Sequence, residues 1–68
     1  MTVKILELVG ESSSSWEEAV QQAVIDASKT IDNIVGVEVL NNTATVENGK
    51  ITNYRANVNV AFKVDENR

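Results

Sequence analysis

Cysteine, histidine and proline are all missing from this 68-residue chain. Without cysteine or histidine there are no disulfides, no thiolate or imidazole zinc sites and no iron–sulfur clusters. The same gaps exclude Ser-His-Asp and Cys-His nucleophilic catalysis. Aromatic rings are scarce, with one Trp, one Tyr and one Phe. Cations are few as well: six Lys+Arg stand against ten Asp+Glu, for a net charge of −4. Those six, Lys4, Lys29, Lys50, Arg55, Lys63 and Arg68, are scattered and form no basic stripe, so a nucleic-acid partner is not expected. No apolar run approaches the ~18 residues of a membrane-spanning helix, so no membrane partner is expected either. The opening MTVKILELVG holds a short apolar stretch broken by Glu7, which does not read as a signal peptide, and the expected location is cytoplasmic. Asn41-Asn42-Thr43 matches the glycosylation pattern, which carries no weight without export.

What is present is a single domain over 1–68, small enough that burial scarcely exceeds the entropy of ordering the chain. With bridges and zinc excluded, self-association or an oxygen-ligated hard cation is left to stabilise it. Val3 to Val9 is rich in Val, Ile and Leu and reads as a strand ending at Gly10. Ser12 to Ser15 lead into a helix start. Ser15 with Glu18 forms a capping-box pattern, and Ser14 with Glu17 is the alternative register. From Trp16 to about Asn33 the apolar residues Trp16, Ala19, Val20, Ala23, Val24, Ala27 and Ile31 recur at helical spacing. Ile25 falls on the opposite, polar side.

After Ile34 the period becomes two. Val35, Val37 and Val39 alternate with Gly36, Glu38 and Leu40, and the polar run from Asn41 to Thr45 predicts a bulge or bend. Asn48-Gly49 predicts a type I′ hairpin, whose central residues both need positive φ. From Ile51 onward Tyr54, Ala56, Val58, Val60, Phe62 and Val64 share one face, opposite Arg55, Asn57, Asn59, Ala61 and Lys63. The fold class is therefore α+β, β-α-β-β, with a three-stranded antiparallel sheet in order 1-3-2 and the helix on its apolar face. Residues 51–64 would extend ~46 Å, against ~27 Å for the helix. A compact chain of this length is ~28 Å across. The hairpin must overhang its domain or curl round the helix, and a two-stranded arm is marginal in water by itself.

The β-α-β-β order, the start VKILELVGESSSSWEEAV, the helix segment DASKTIDNIVGVEV and the end YRANVNVAFKV together resemble the dodecins. That resemblance implies a hollow homododecamer in which each sheet partly wraps its helix. It also implies flavin storage without turnover, with paired flavins stacked between symmetry-related tryptophans. At the family's stacking position this chain carries Gly36, and where a glutamine would hold the flavin ring it carries Arg55. Glycine offers no ring face, and an arginine cannot accept a hydrogen bond from a ring imide. In this reading the flavin site is degenerate. The Ser-Trp-Glu helix start is similar to the branch described as calcium dodecin.

Two ligand classes follow from the resemblance, and neither cofactor is assigned. Gly36, Glu38, Asn41 and Arg55 are the family pocket positions, available to a small molecule or ion at subunit contacts. Arg55 could pair with Glu38 of a neighbour or hold an anionic ligand. A weak flavin site (riboflavin or FMN) resting on Val35 and Val37 is the alternative. For calcium, Glu11, Glu17, Glu18, Glu38, Glu47, Asp65 and Glu66 are the carboxylates that symmetry could gather, with no metal ligand identified. No pair of carboxylates is spaced for acid–base work in one cleft, so an enzyme is not expected.

Overall fold

The computed structural model describes residues 1–64. Its elements are β1 (Thr2–Ser12), α1 (Trp16–Ser28), β2 (Ile34–Glu47) and β3 (Lys50–Val64). β3 lies between the other two strands and runs antiparallel to both, giving the order β1-β3-β2. Asn48 and Gly49 have φ of 53° and 78°, the positive pair that joins β2 to β3 by a two-residue turn.

Helix α1 starts on its serine cap. The Ser15 hydroxyl accepts from the Glu18 backbone N–H at 3.0 Å. The Glu18 carboxylate does not return to Ser15; it accepts from the Ser12 hydroxyl at 2.7 Å. The helix ends at Ser28 rather than near Asn33. Ala27 O accepts from both Thr30 N and Ile31 N, which closes the last turn. β-Branched Thr30 and Ile31 disfavour a further turn, and Asn33 takes a left-handed φ of 65° that reverses the chain. Ile31 still packs on the core, but from the loop.

β1 also differs from expectation, continuing through Gly10 to Ser12. Gly10 pairs with Ala56 and passes directly under the helix. A Cβ there would lie 2.9 Å from the Ala23 methyl and closer still to the Ala19 carbonyl. The glycine therefore allows close helix–strand packing rather than a turn. In β2 the expected alternation breaks at two places. Register shifts leave Val35 and Leu40 unpaired, so Ile34, Val37 and Val39 stand opposite Phe62, Val60 and Val58. A third shift, opposite Thr45 and Val46, falls at Thr52 of β3.

The core is small. Ala19, Ala23 and Ala27 on the helix meet Ala56, Val58 and Val60 on the central strand, and these six are the buried hydrophobic residues. The rest of the molecule is drawn out. The Cα radius of gyration is 14.0 Å, against about 11 Å for a compact chain of this length. The principal extents are 54 × 19 × 12 Å. The accessible surface of 4747 Å² likewise exceeds the roughly 4,200 Å² of a compact monomer.

Candidate functional site

Side chains alternate across a strand, so residues flanking the buried Ala56, Val58 and Val60 point away from the helix. That outer face carries Arg55, Asn57, Asn59 and Ala61 on β3. Their partners on β2 are Thr43, Asn41, Glu38 and Gly36 respectively. All four sequence-predicted positions, Gly36, Glu38, Asn41 and Arg55, thus share one face. They form a ladder and do not converge. Gly36 stands opposite Ala61, six residues along β3 from Arg55, a separation of about 20 Å at ~3.3 Å per residue.

Three of the four positions are already engaged within the chain. Asn59 Nδ2 donates to Glu38 Oε1 at 3.4 Å, and Asn57 Nδ2 donates to Asn41 Oδ1. Arg55 Nη2 donates to Thr45 Oγ1 at 2.8 Å, while Nη1 lies 3.9 Å from Glu11 Oε2. The guanidinium thereby spans all three strands. Its polar hold is local, although Glu11 is largely exposed and the ion pair itself contributes little. Gly36 differs from the other three positions. A Cβ built there meets nothing within 4 Å, so the position that the resemblance assigns to ring stacking is open space on the single chain.

Trp16 does not face this ladder. Its indole Nε1 donates to Thr43 O at 2.9 Å, and its ring meets Tyr54 edge-on at a centroid distance of 4.9 Å. That contact binds the start of α1 to the edge of β2. An open concavity of about 400 Å³ lies at the other end of the sheet, lined by Lys4, Ile31, Asp32, Asn33, Phe62 and Lys63 among others. None of the four predicted positions lines it.

Among the described residues no three acidic side chains are gathered as a metal site. Glu11 leans on Arg55, Glu18 on Ser12 and Glu38 on Asn59. Asp65 and Glu66 lie outside the described residues. No helix among the described residues is long and apolar enough to cross a membrane.

The partners Thr45, Asn57 and Asn59 were not among the predicted site residues, and Glu11 was named only as a candidate cation ligand, not as a partner of Arg55. Alternation of β3 placed Asn57 and Asn59 beside Arg55, and that signal was available. Their β2 partners were not, because each bulge moves the register by one residue.

The Dodecin family model matches residues 2–65. The calcium dodecin of Mycobacterium tuberculosis is 37% identical over 62 residues, covering 90% of this chain and 86% of that protein. Its crystal structure, described as having a novel calcium-binding site, superposes with a TM-score of 0.82 at 32% identity, covering 100% of this chain and 97% of the other. The dodecin of Streptomyces coelicolor superposes at 0.91 with 28% identity, covering 96% and 93% of the two chains. A protein of Thermus thermophilus gives 0.92 at 31% identity, with 96% of each chain covered. Sequence and backbone order these relatives differently: the calcium dodecin has the higher identity and the lower superposition score. The fold, the strand order and the match over nearly the whole length agree, and this chain belongs to the dodecin family.

Proposed function

We propose that this chain is the subunit of a hollow, closed homo-oligomer of the twelve-chain dodecin kind. The assembly sequesters a small ligand or ion without chemical turnover, and its flavin pocket is degenerate. One observation carries the degenerate pocket: the stacking position is Gly36 with open space around it, and Arg55 is held about 20 Å away by Thr45 and Glu11. A single chain therefore offers a flat polar ladder and no enclosed site, and any pocket at these positions is completed by neighbouring copies. Nothing on that face pairs a general acid with a base, which favours binding over catalysis.

Riboflavin fluorescence tests this reading. The wild-type protein at micromolar concentration should leave riboflavin and FMN emission unchanged, and the purified particle should be colourless. Gly36→Trp combined with Arg55→Gln restores a ring face and an amide able to accept a hydrogen bond, and should introduce quenching. Quenching by the wild type would overturn the degenerate pocket.

A second reading, calcium binding, is favoured by the calcium dodecin relative. It expects a melting temperature that rises with calcium and falls with chelator; indifference to both removes it.

A further inference from the structure

The hairpin outruns its own helix. Trp16, the first residue of α1, covers Tyr54 and Thr43, and beyond that point the two strands continue to the Asn48-Gly49 turn with no helix above them. Near the tip the cross-strand pair Val46 and Ile51 remains 61% and 46% exposed. The end of this arm is held by backbone pairing, and stretches with so little burial open locally at low cost.

Asparagine is a thermolabile residue, and the tip holds one whose surroundings favour chemistry on its own amide. Asn48 precedes Gly49, both are exposed, and the Asn48 side chain has no hydrogen-bond partner among the described residues. No ladder pair includes Gly49, because the register passes from Glu47 opposite Lys50 into the turn. Its amide nitrogen therefore lies outside the sheet, with no side chain beside it to shield it.

Asn33 provides a comparison within the same chain. It too is exposed with positive φ, at 65° against 53° for Asn48. The residue after it is Ile34, whose branched side chain crowds the next nitrogen, and Asn33 O accepts from Lys63 N at 3.0 Å. Asn41, Asn42, Asn53, Asn57 and Asn59 lie inside β2 or β3, where the paired backbone resists rotation.

We propose that Asn48-Gly49 is a self-modifying site, at which spontaneous deamidation turns a neutral hairpin tip acidic. The Gly49 nitrogen loses its proton to water or hydroxide and attacks Asn48 Cγ. The Cγ–Nδ2 bond breaks, ammonia leaves, and a succinimide ring is formed. Water then opens the ring at either carbonyl: attack at Cγ gives aspartate, and attack at the backbone carbonyl gives isoaspartate. One water is consumed, one ammonia is released, and nothing is oxidised or reduced. Ring closure needs the Asn48 backbone to rotate out of the turn, which at this tip disturbs only the nearest pairs.

The two products differ in consequence. Asp-Gly suits the same type I′ turn, so aspartate adds a charge and keeps the hairpin. Isoaspartate routes the chain through the side-chain carbons and lengthens the turn by one atom, so Glu47 no longer falls opposite Lys50.

The test incubates the purified full chain in mildly alkaline buffer, native and in urea, with isoelectric focusing and peptide mass mapping. Each modified chain should shift in net charge from −4 to −5, with the amide-to-acid mass gain at Asn48 well before any at Asn33. The native rate should stay within about tenfold of the rate in urea, because the tip opens readily. Asn48→Asp, which keeps the turn and removes the amide, should show no such shift. In the isoaspartyl product, amide exchange should rise at Val46 and Ile51 while Ala56, Val58 and Val60 stay protected. A native rate below that range, modification first at another asparagine, or an acidic shift that persists in Asn48→Asp overturns the proposal. Unchanged exchange at the tip of the isoaspartyl form overturns the loosening of the arm.

Discussion

The two halves of the central hairpin are built from the same strands and are held in different ways. Under the helix, β3 buries Ala56, Val58 and Val60 against three alanines, with no side chain at Gly10 to hold the layers apart. Past Tyr54 the same two strands keep their ladder to the turn, yet Val46 and Ile51 stay in solvent. Backbone pairing alone extends the arm, and packing alone makes the base a core. Hydrogen bonds exchange for those of water and contribute modestly, whereas burial is the main favourable term. The difference shows that this chain carries sheet well beyond what it can cover.

Substitutions at three points sharpen that contrast. The largest effect is expected in the base, where Gly10→Ala forces a methyl against the Ala19 carbonyl and Ala23. The expected loss is about 3 kcal/mol or more, read as a lowered urea midpoint, since both neighbours belong to a packed helix. Gly36→Ala, with open space around it, should stay within ~0.5 kcal/mol of wild type. Equal effects at the two glycines would refute the close-packing account.

At the joint between base and arm, Trp16→Phe keeps a ring beside Tyr54 and removes the donor to Thr43 O. A loss of about 1 kcal/mol is expected in the same measurement. Amide exchange should rise in the arm more than in the base, and a uniform change would count against a local strut.

In the arm itself Gly49→Ala should cost about 1 kcal/mol, because with φ at 78° an alanine there pays the left-handed penalty, and β1 protection should not change.

Much of this was legible beforehand. The Asn48-Gly49 turn fixed the hairpin, the three- and four-residue spacing of Ala19, Ala23 and Ala27 fixed the helix face, and short connections fixed the strand order. Comparing strand and helix lengths left the hairpin to overhang or to curl round the helix, and the 54 Å extent shows that it overhangs. The site was less legible, for a geometric reason. A two-residue turn sets Glu47 opposite Lys50, and unbroken counting from there would set Asn42 opposite Arg55. The bulge at Thr52 brings Thr43 there instead, and the one at Leu40 restores the original count. No local residue preference announces a bulge at Leu40 or Val35, which depends on how β2 must bend against β3. Gly10 was misread for a related reason. Glycine marks both turns and close approaches, and only the helix packed above it decides between them.

The thinnest dimension of the molecule, 12 Å, has a geometric corollary. Alanines on the helix and a bare Gly10 beneath them let the two layers lie close, so each subunit is a plate rather than a ball. Vessels tiled from plates enclose more lumen per residue than vessels tiled from spheres. In the proposed hollow assembly, widening the gap between helix and strand with bulkier side chains would thicken the wall and change the enclosed volume before it altered any binding group.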